Sequence, residues 1–238
     1  QSRFQQGKYA FTADLAYQWN HRRLFGEDEY EVDMRLANLS WKLGVRHHVD
    51  EKSEWVLGFQ GNHRKNENDP HAGERVVPDH RLDEASVFLL TERQVMPGLR
   101  GQVGLRFDYR RFDVPEQEAG SHTHGEETGE EEHREIEALN KEYANLSGSA
   151  GLVYVLSADQ VMRLSLSSAF RTPNVPELTQ DGAHGARYEQ GNRDLASQQA
   201  LQADLGWHMH RSKVQADLSV FVNLLQNYIY LQPSTDTT

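Results

Sequence analysis

From Leu201 to His210 the chain alternates without a break, with Leu201, Ala203, Leu205, Trp207 and Met209 on one face and Gln202, Asp204, Gly206, His208 and His210 on the other. Successive side chains of an extended strand point to opposite faces, so a period of two held this long specifies a strand with one apolar and one polar side. After a tight turn at Arg211-Ser212-Lys213 the pattern repeats: Val214, Ala216, Leu218, Val220 and Val222 oppose Gln215, Asp217, Ser219 and Asn223, and Phe221 alone breaks it. Two such runs joined by so short a link form an antiparallel hairpin.

The same signature recurs upstream. Phe11, Ala13, Leu15, Tyr17 and Trp19 oppose Thr12, Asp14, Gln18 and Asn20, and Leu39, Trp41, Leu43 and Val45 oppose Ser40, Lys42 and Arg46. Val103, Leu105, Phe107 and Tyr109 oppose Gln102, Arg106, Asp108 and Arg110; the runs Leu146–Tyr154 and Met162–Phe170 behave alike, and less regular candidates cover 54–65 and 82–94. That makes about nine strands, each near or above the roughly 9–11 residues that cross a bilayer at a tilt. The connections near 49–53, 95–98, 157–160 and 211–213 are short, whereas those near 66–81, 114–141 and 171–200 are long and polar. Tight turns at one end and long loops at the other are the rhythm of outer-membrane barrels, whose long loops face the exterior.

The fold expected is therefore all-β: an antiparallel up-and-down transmembrane barrel, of which this chain supplies about nine strands. A soluble sandwich or a lipocalin-like barrel shares the period, but here Arg, Asp, His and Gln occupy the second face in nearly every strand. Mean hydropathy of -0.77 does not oppose a membrane, because lumen-facing polar residues dilute the lipid-facing ones. Aromatics near strand ends, such as Trp19, Tyr109 and Tyr154, suit interface girdles. With no Cys, disulfides, thiolate metal sites and cysteine nucleophiles are excluded. A net charge of -11 argues against nucleic acid, which is bound by clustered Lys and Arg. Neither a GxSxG elbow, an HExxH helix nor a Gly-rich phosphate loop occurs, so no enzyme activity is expected.

The run Ala169-Phe170-Arg171-Thr172-Pro173-Asn174-Val175-Pro176-Glu177-Leu178, followed by Gly191-Asn192-Arg193-Asp194-Leu195 and by Asn227-Tyr228-Ile229-Tyr230, resembles TonB-dependent receptors, whose pattern reads roughly FRAPxxxEL, GNPxL and NYIY. Thr172 stands where the family has a small Ala, and Arg193 where it has Pro. The resemblance implies a 22-stranded barrel in the outer membrane of a Gram-negative bacterium, closed by an N-terminal plug and energised through the TonB complex. It makes residues 1–238 a partial barrel without the plug or the final strands. Outer-membrane lipid, the TonB complex acting through that plug, and a metal or metal chelate are the partners implied.

Cargo is read from the exterior loops. The stretch Gly120–His133 carries His122, His124 and His133 with Glu126 and Glu127, and imidazoles mixed with carboxylates suit zinc, or nickel and copper. An acidic loop that is merely solvated is the plain alternative. His184 lies between the two family motifs, where similar zinc and haem receptors often carry a functional His, and it suits zinc or an axial haem position. His71 and His80, with Asp69, Glu74 and Asp79, are further candidate ligands on the 66–81 loop. His208 and His210 face the lumen beside Asp204 but near a periplasmic turn, as do His47 and His48, and contact with the plug is the simpler role for them. No intrinsic cofactor is expected. The function expected is TonB-dependent uptake of a metal ion, zinc first, with haem or a ferric siderophore, or a passive barrel without cargo, as alternatives.

Overall fold

The computed structural model describes residues 2–25, 30–72, 75, 77–118, 135–184 and 187–233. Its strands are β1 (Ser2–Gln6), β2 (Tyr9–Phe25), β3 (Tyr30–Asp50), β4 (Ser53–Asn68), β5 (His80–Met96), β6 (Leu99–Val114), β7 (Gln117–Glu118), β8 (Glu135–Ile136), β9 (Leu139–Ser157), β10 (Gln160–Arg171), β11 (Asp181–His184), β12 (Arg187–Gln190), β13 (Gln198–Arg211) and β14 (Val214–Gln226), with one short helix, α1 (Val175–Thr179). Ten of them form a single antiparallel sheet in the order β1-β2-β3-β4-β5-β6-β9-β10-β13-β14, while β7–β8 and β11–β12 are small hairpins within the long connections. The sheet contains the nine strands read from the sequence and a tenth, β1. Each main strand pairs with its neighbour in the chain, as an up-and-down barrel wall requires.

One end of the sheet is built from two-residue turns, Gly7-Lys8, Glu51-Lys52, Pro97-Gly98, Ala158-Asp159 and Ser212-Lys213. Pro97 presets its own φ and Gly98 takes a φ of 80°, which a residue with a Cβ rarely adopts, so this dipeptide turns the chain in two steps. At the other end lie the long connections. The strands β3 to β6, of 16 to 21 residues, are longer than the roughly 9–11 residues that cross a bilayer at a tilt.

Register fixes the faces. Across β4, β5, β6 and β9, Phe59 opposes Val87, Val87 opposes Phe107 and Phe107 opposes Leu146, and the row two residues on is Leu57, Leu89, Leu105 and Gly148. Phe59, Phe107, Leu146, Leu89 and Leu105 are solvent-exposed and Val87 and Leu57 half-exposed; Leu15, Tyr17 and Trp19 on β2 and Leu218, Val220 and Val222 on β14 are exposed as well. An apolar belt this wide is covered by something other than water. At the tight-turn end Tyr9, His47 and Trp55 cluster, with ring centroids 4.2 Å apart for Tyr9–His47 and 5.3 Å for His47–Trp55, the placing of an interface girdle.

The packed core lies elsewhere. Leu82, Phe112, Val114, Ile136, Tyr143, Val175 and Leu178 are buried together, with Leu139 and Leu195 against them. Leu82, Phe112 and Tyr143 alternate with outward residues, so the core forms on the polar side of the sheet where α1 folds over the outer ends of β5, β6 and β9.

Candidate functional site

The family-like motif builds this cover. β10 ends at Arg171, and Pro173, which cannot donate to a ladder, follows Thr172 out of the sheet. Asn174 then caps α1: its Oδ1 accepts from the Glu177 backbone N–H at 2.8 Å, and a Glu177 carboxylate oxygen accepts from the Asn174 N–H at 2.9 Å. Both partners of a capping box are thus satisfied, and Pro176 sits in the first turn, where its missing N–H does no harm. The other Glu177 oxygen pairs with Arg171. The second half of the motif docks on the first. Gly191 N–H donates to the Gln180 carbonyl at 2.6 Å and Asn192 N–H to the Glu177 carbonyl at 2.8 Å. A Cβ on Gly191 would come within 2.8 Å of backbone atoms of Leu178, Thr179 and Gln180, so this close approach admits only glycine.

Arg193, the departure from the family pattern, binds the cover to the neighbouring loop. Its guanidinium bonds the Glu137 carboxylate and the Ala138 carbonyl, and its own carbonyl accepts from Lys141. Tyr143 donates to the Leu195 carbonyl at 2.9 Å and meets Phe112 edge-on, centroids 6.1 Å apart and planes at 86°, a favoured aromatic geometry. The motif residues Arg171, Asn174, Glu177, Gly191 and Asn192 are therefore engaged with one another rather than presented to a ligand.

Of the candidate metal ligands, His122, His124, Glu126, Glu127 and His133 lie outside the described residues, as does the side chain of His184, whose backbone pairs with Arg187 in the β11–β12 hairpin. His71 is exposed, with its Nδ1 3.2 Å from Asp69 Oδ1 and its backbone N–H donating to the same oxygen at 3.1 Å. These bonds from His71, backbone first, hold the Asp69 carboxyl below its ordinary pKa. His80 is different: rather than standing in the open loop, it begins β5 and is 7% exposed, with Nδ1 donating to the Pro78 carbonyl at 2.9 Å. Burial pushes its pKa down, against the raising effect of that hydrogen bond, and Arg64 lowers it further. The loop packs back on β4 because Asn66 and Asn68 donate to the Val77 carbonyl at 3.1 and 2.9 Å, which draws His80 in with it. Among the described residues no three His, Asp or Glu side chains converge as metal ligands would. His208 pairs with Asp217 at 2.6 Å, not with Asp204, which accepts from Gln202.

The polar face carries a second constellation, invisible until register is known. Arg106 donates to Asp108 at 2.6 Å and to Ser86 at 2.8 Å, while Arg110 donates to Glu84 at 2.6 Å and Asn62 to the other Glu84 oxygen at 3.1 Å. Asn62, Glu84, Ser86, Arg106 and Asp108, with Asp14, Asn38, Lys42 and Gln60, line a recess of about 400 Å³. Acids and bases are interleaved, so the wall offers donors and acceptors to a polar partner without a strong field of either sign.

The family model described as "TonB dependent receptor-like, beta-barrel" matches residues 1–238. No curated protein matches the chain by sequence. Among solved structures, the chain superposes on the ferric yersiniabactin uptake receptor FyuA from Yersinia pestis with a TM-score of 0.67 at 11% identity, covering 94% of this chain and 34% of that one. The copper transporter OprC gives 0.64 at 14%, covering 92% and 37%. The haemophore receptor HasR of Serratia marcescens, solved with its haemophore HasA and haem, gives 0.62 at 14%, covering 95% and 43%. At these identities the likeness is one of fold, and the chain spans about a third to two-fifths of the lengths it matches. Wall, cover motif and family model agree, and the chain belongs to the TonB-dependent receptor family as a length of its β-barrel.

Proposed function

We propose that this chain forms part of the wall of an outer-membrane receptor of a Gram-negative bacterium that imports a metal ion by TonB-dependent active transport, with zinc as the ion. The observation that carries the transport reading is the pairing of a continuous exposed apolar belt with a polar inner face on one up-and-down sheet, the construction of a barrel that encloses a path through lipid. The zinc reading rests on the His- and Glu-bearing stretch from 120 to 133 and on His184. The receptor's plug and remaining strands come from outside residues 1–238; the recess around Arg106 and Glu84 faces that plug, and the TonB complex acts through it. No step here is enzymatic.

A second reading keeps the receptor and changes the cargo to haem or a ferric siderophore; the cargoes of FyuA and HasR favour it, as that of OprC favours a bare metal ion. Calorimetric titration of the full-length receptor with zinc, copper and haemin separates them. Zinc binding at micromolar or tighter affinity, lost in His122→Ala, His124→Ala and His184→Ala variants, supports zinc import. Haemin binding without any response to zinc overturns it in favour of haem.

A further inference from the structure

We infer that Arg193 is a positioning residue for cargo capture: it clasps the stem of the 114–141 connection to the cover, so that the 114–141 and 171–200 connections are held in one fixed relation. The inference rests on the zinc reading above, which draws on both connections, and deepens it. Asn192 to Leu195 form a tight turn, in which Leu195 N–H donates to the Asn192 carbonyl at 3.3 Å and Asp194 N–H to Asn192 Oδ1 at 2.8 Å. Arg193 therefore takes the second position of a β-turn, where the backbone favours Pro after a leading Asn. Its own N–H makes no hydrogen bond among the described residues. The Pro of the family pattern would serve this turn equally well, so what the arginine adds is its side chain.

That side chain reaches across to the other connection. The guanidinium holds the Glu137 carboxylate and the Ala138 carbonyl, with the Glu137 carbonyl at 3.4 Å, and Lys141 returns a bond to the Arg193 carbonyl. What it grips is a stem that cannot hold itself. β7 and β8 pair over two residues, Gln117↔Ile136 and Glu118↔Glu135, and even a longer hairpin is marginal in water on its own. Support comes from the flanks. On one side Gln117 accepts from the Asp79 N–H at 2.8 Å and donates to the Asp79 carbonyl at 3.1 Å; on the other stands Arg193. Beside the core that holds Ile136 and Leu178, stem and cover are separated by a recess of about 200 Å³ lined by Glu135, Glu137, Gln180, Asp181 and Gln190. The arginine bridges a gap that packing leaves open. Ligands drawn from two connections bind an ion tightly when their separation is set beforehand, because the cost of ordering them is then already met.

Arg193→Pro keeps the turn and removes the clasp, while Arg193→Glu/Glu137→Arg restores the pair with its sense reversed. In calorimetric titration of the full-length receptor with zinc, Arg193→Pro should bind about tenfold more weakly at unchanged stoichiometry, as the loss of a charge-assisted bond predicts. The reversed pair should return to within about threefold of the wild type. Amide exchange at Gln117, Glu118, Glu135 and Ile136 should accelerate in Arg193→Pro, with resistance to protease cleavage between 172 and 197 unchanged. A role confined to folding the cover would move the protease readout as well, so cleavage there overturns the inference. So does wild-type zinc affinity in Arg193→Pro, which leaves the zinc reading standing, and so does a reversed pair as weak as Arg193→Pro. If the wild type takes haemin and no zinc, the zinc reading falls by itself. The same loss and recovery read with haemin then upholds the clasp, and equal haemin affinity in all variants overturns it.

Discussion

At their outer ends β5, β6 and β9 bury one face in a packed core, whereas a few residues down the same strands Val87, Phe107 and Leu146 turn outward, half or fully exposed, and Ser86, Arg106 and Ser147 line an open polar wall on the other side. The same strands thus rely on two sources of stability. At the mouth, apolar area is removed from water by the chain's own cover. In the belt the chain supplies the ladder and the surroundings supply the apolar partner. The difference teaches that the family motif, Phe170 to Leu178 with Gly191 to Leu195, is built for the first task. Its role is to close a small soluble-type core over a membrane wall.

The comparison can be broken by substitutions that respect only one side of it. Phe112→Ala, deep in the mouth core, should destabilise the cover by about 3–5 kcal/mol, read as protease cleavage between 172 and 197, with bilayer insertion unchanged. Phe107→Arg, five residues away on the belt, should do the reverse, costing about 2–4 kcal/mol in folding into phospholipid bilayers while leaving the cover protected. Equal effects on both readouts would dissolve the distinction. Gly191→Ala forces a Cβ against backbone atoms of Leu178, Thr179 and Gln180 at the end of α1 and should loosen the cover by about 1–3 kcal/mol.

The smallest effect concerns acid. Because the Asp69 pKa is lowered in the folded chain, its bonds from His71 are fully formed above the ordinary carboxylate range near 4. They are lost only as pH falls through the depressed value. Amide exchange at His71, corrected for intrinsic rate, should therefore accelerate below about pH 4, and Asp69→Asn should remove that acid transition.

Legibility followed the same divide. Belt strands were readable because lipid and lumen impose a strict period of two, down to the Ser212 turn, whose φ of 45° closes the last hairpin. β1 escaped because Ser2–Gln6 offers five residues with Phe4 as its one large apolar side chain, too short for a period to declare itself. α1 was announced by Asn174 and Glu177 at capping-box spacing, a signal overshadowed by the motif that contains it. The Arg106–Ser86 and Arg110–Glu84 contacts could not be read, since partners separated by 20 and 26 residues are chosen by register, which no local pattern encodes. The burial of His80 was hidden for a related reason: it follows from the packing of Val77 and Pro78 onto Asn66 and Asn68, a tertiary event.

β6 and β9 stay in register from Leu99↔Tyr154 to Val114↔Leu139 although a connection of 24 residues lies between them. Closing a longer flexible loop adds little, about 0.6 kcal/mol per doubling of length, so the wall is nearly indifferent to what is grafted between those strand ends. The connection can therefore change in length and sequence at little cost to the wall. Among the described residues, Gln117 with Asp79 and Arg193 with Glu137 tie its ends to the neighbouring connections.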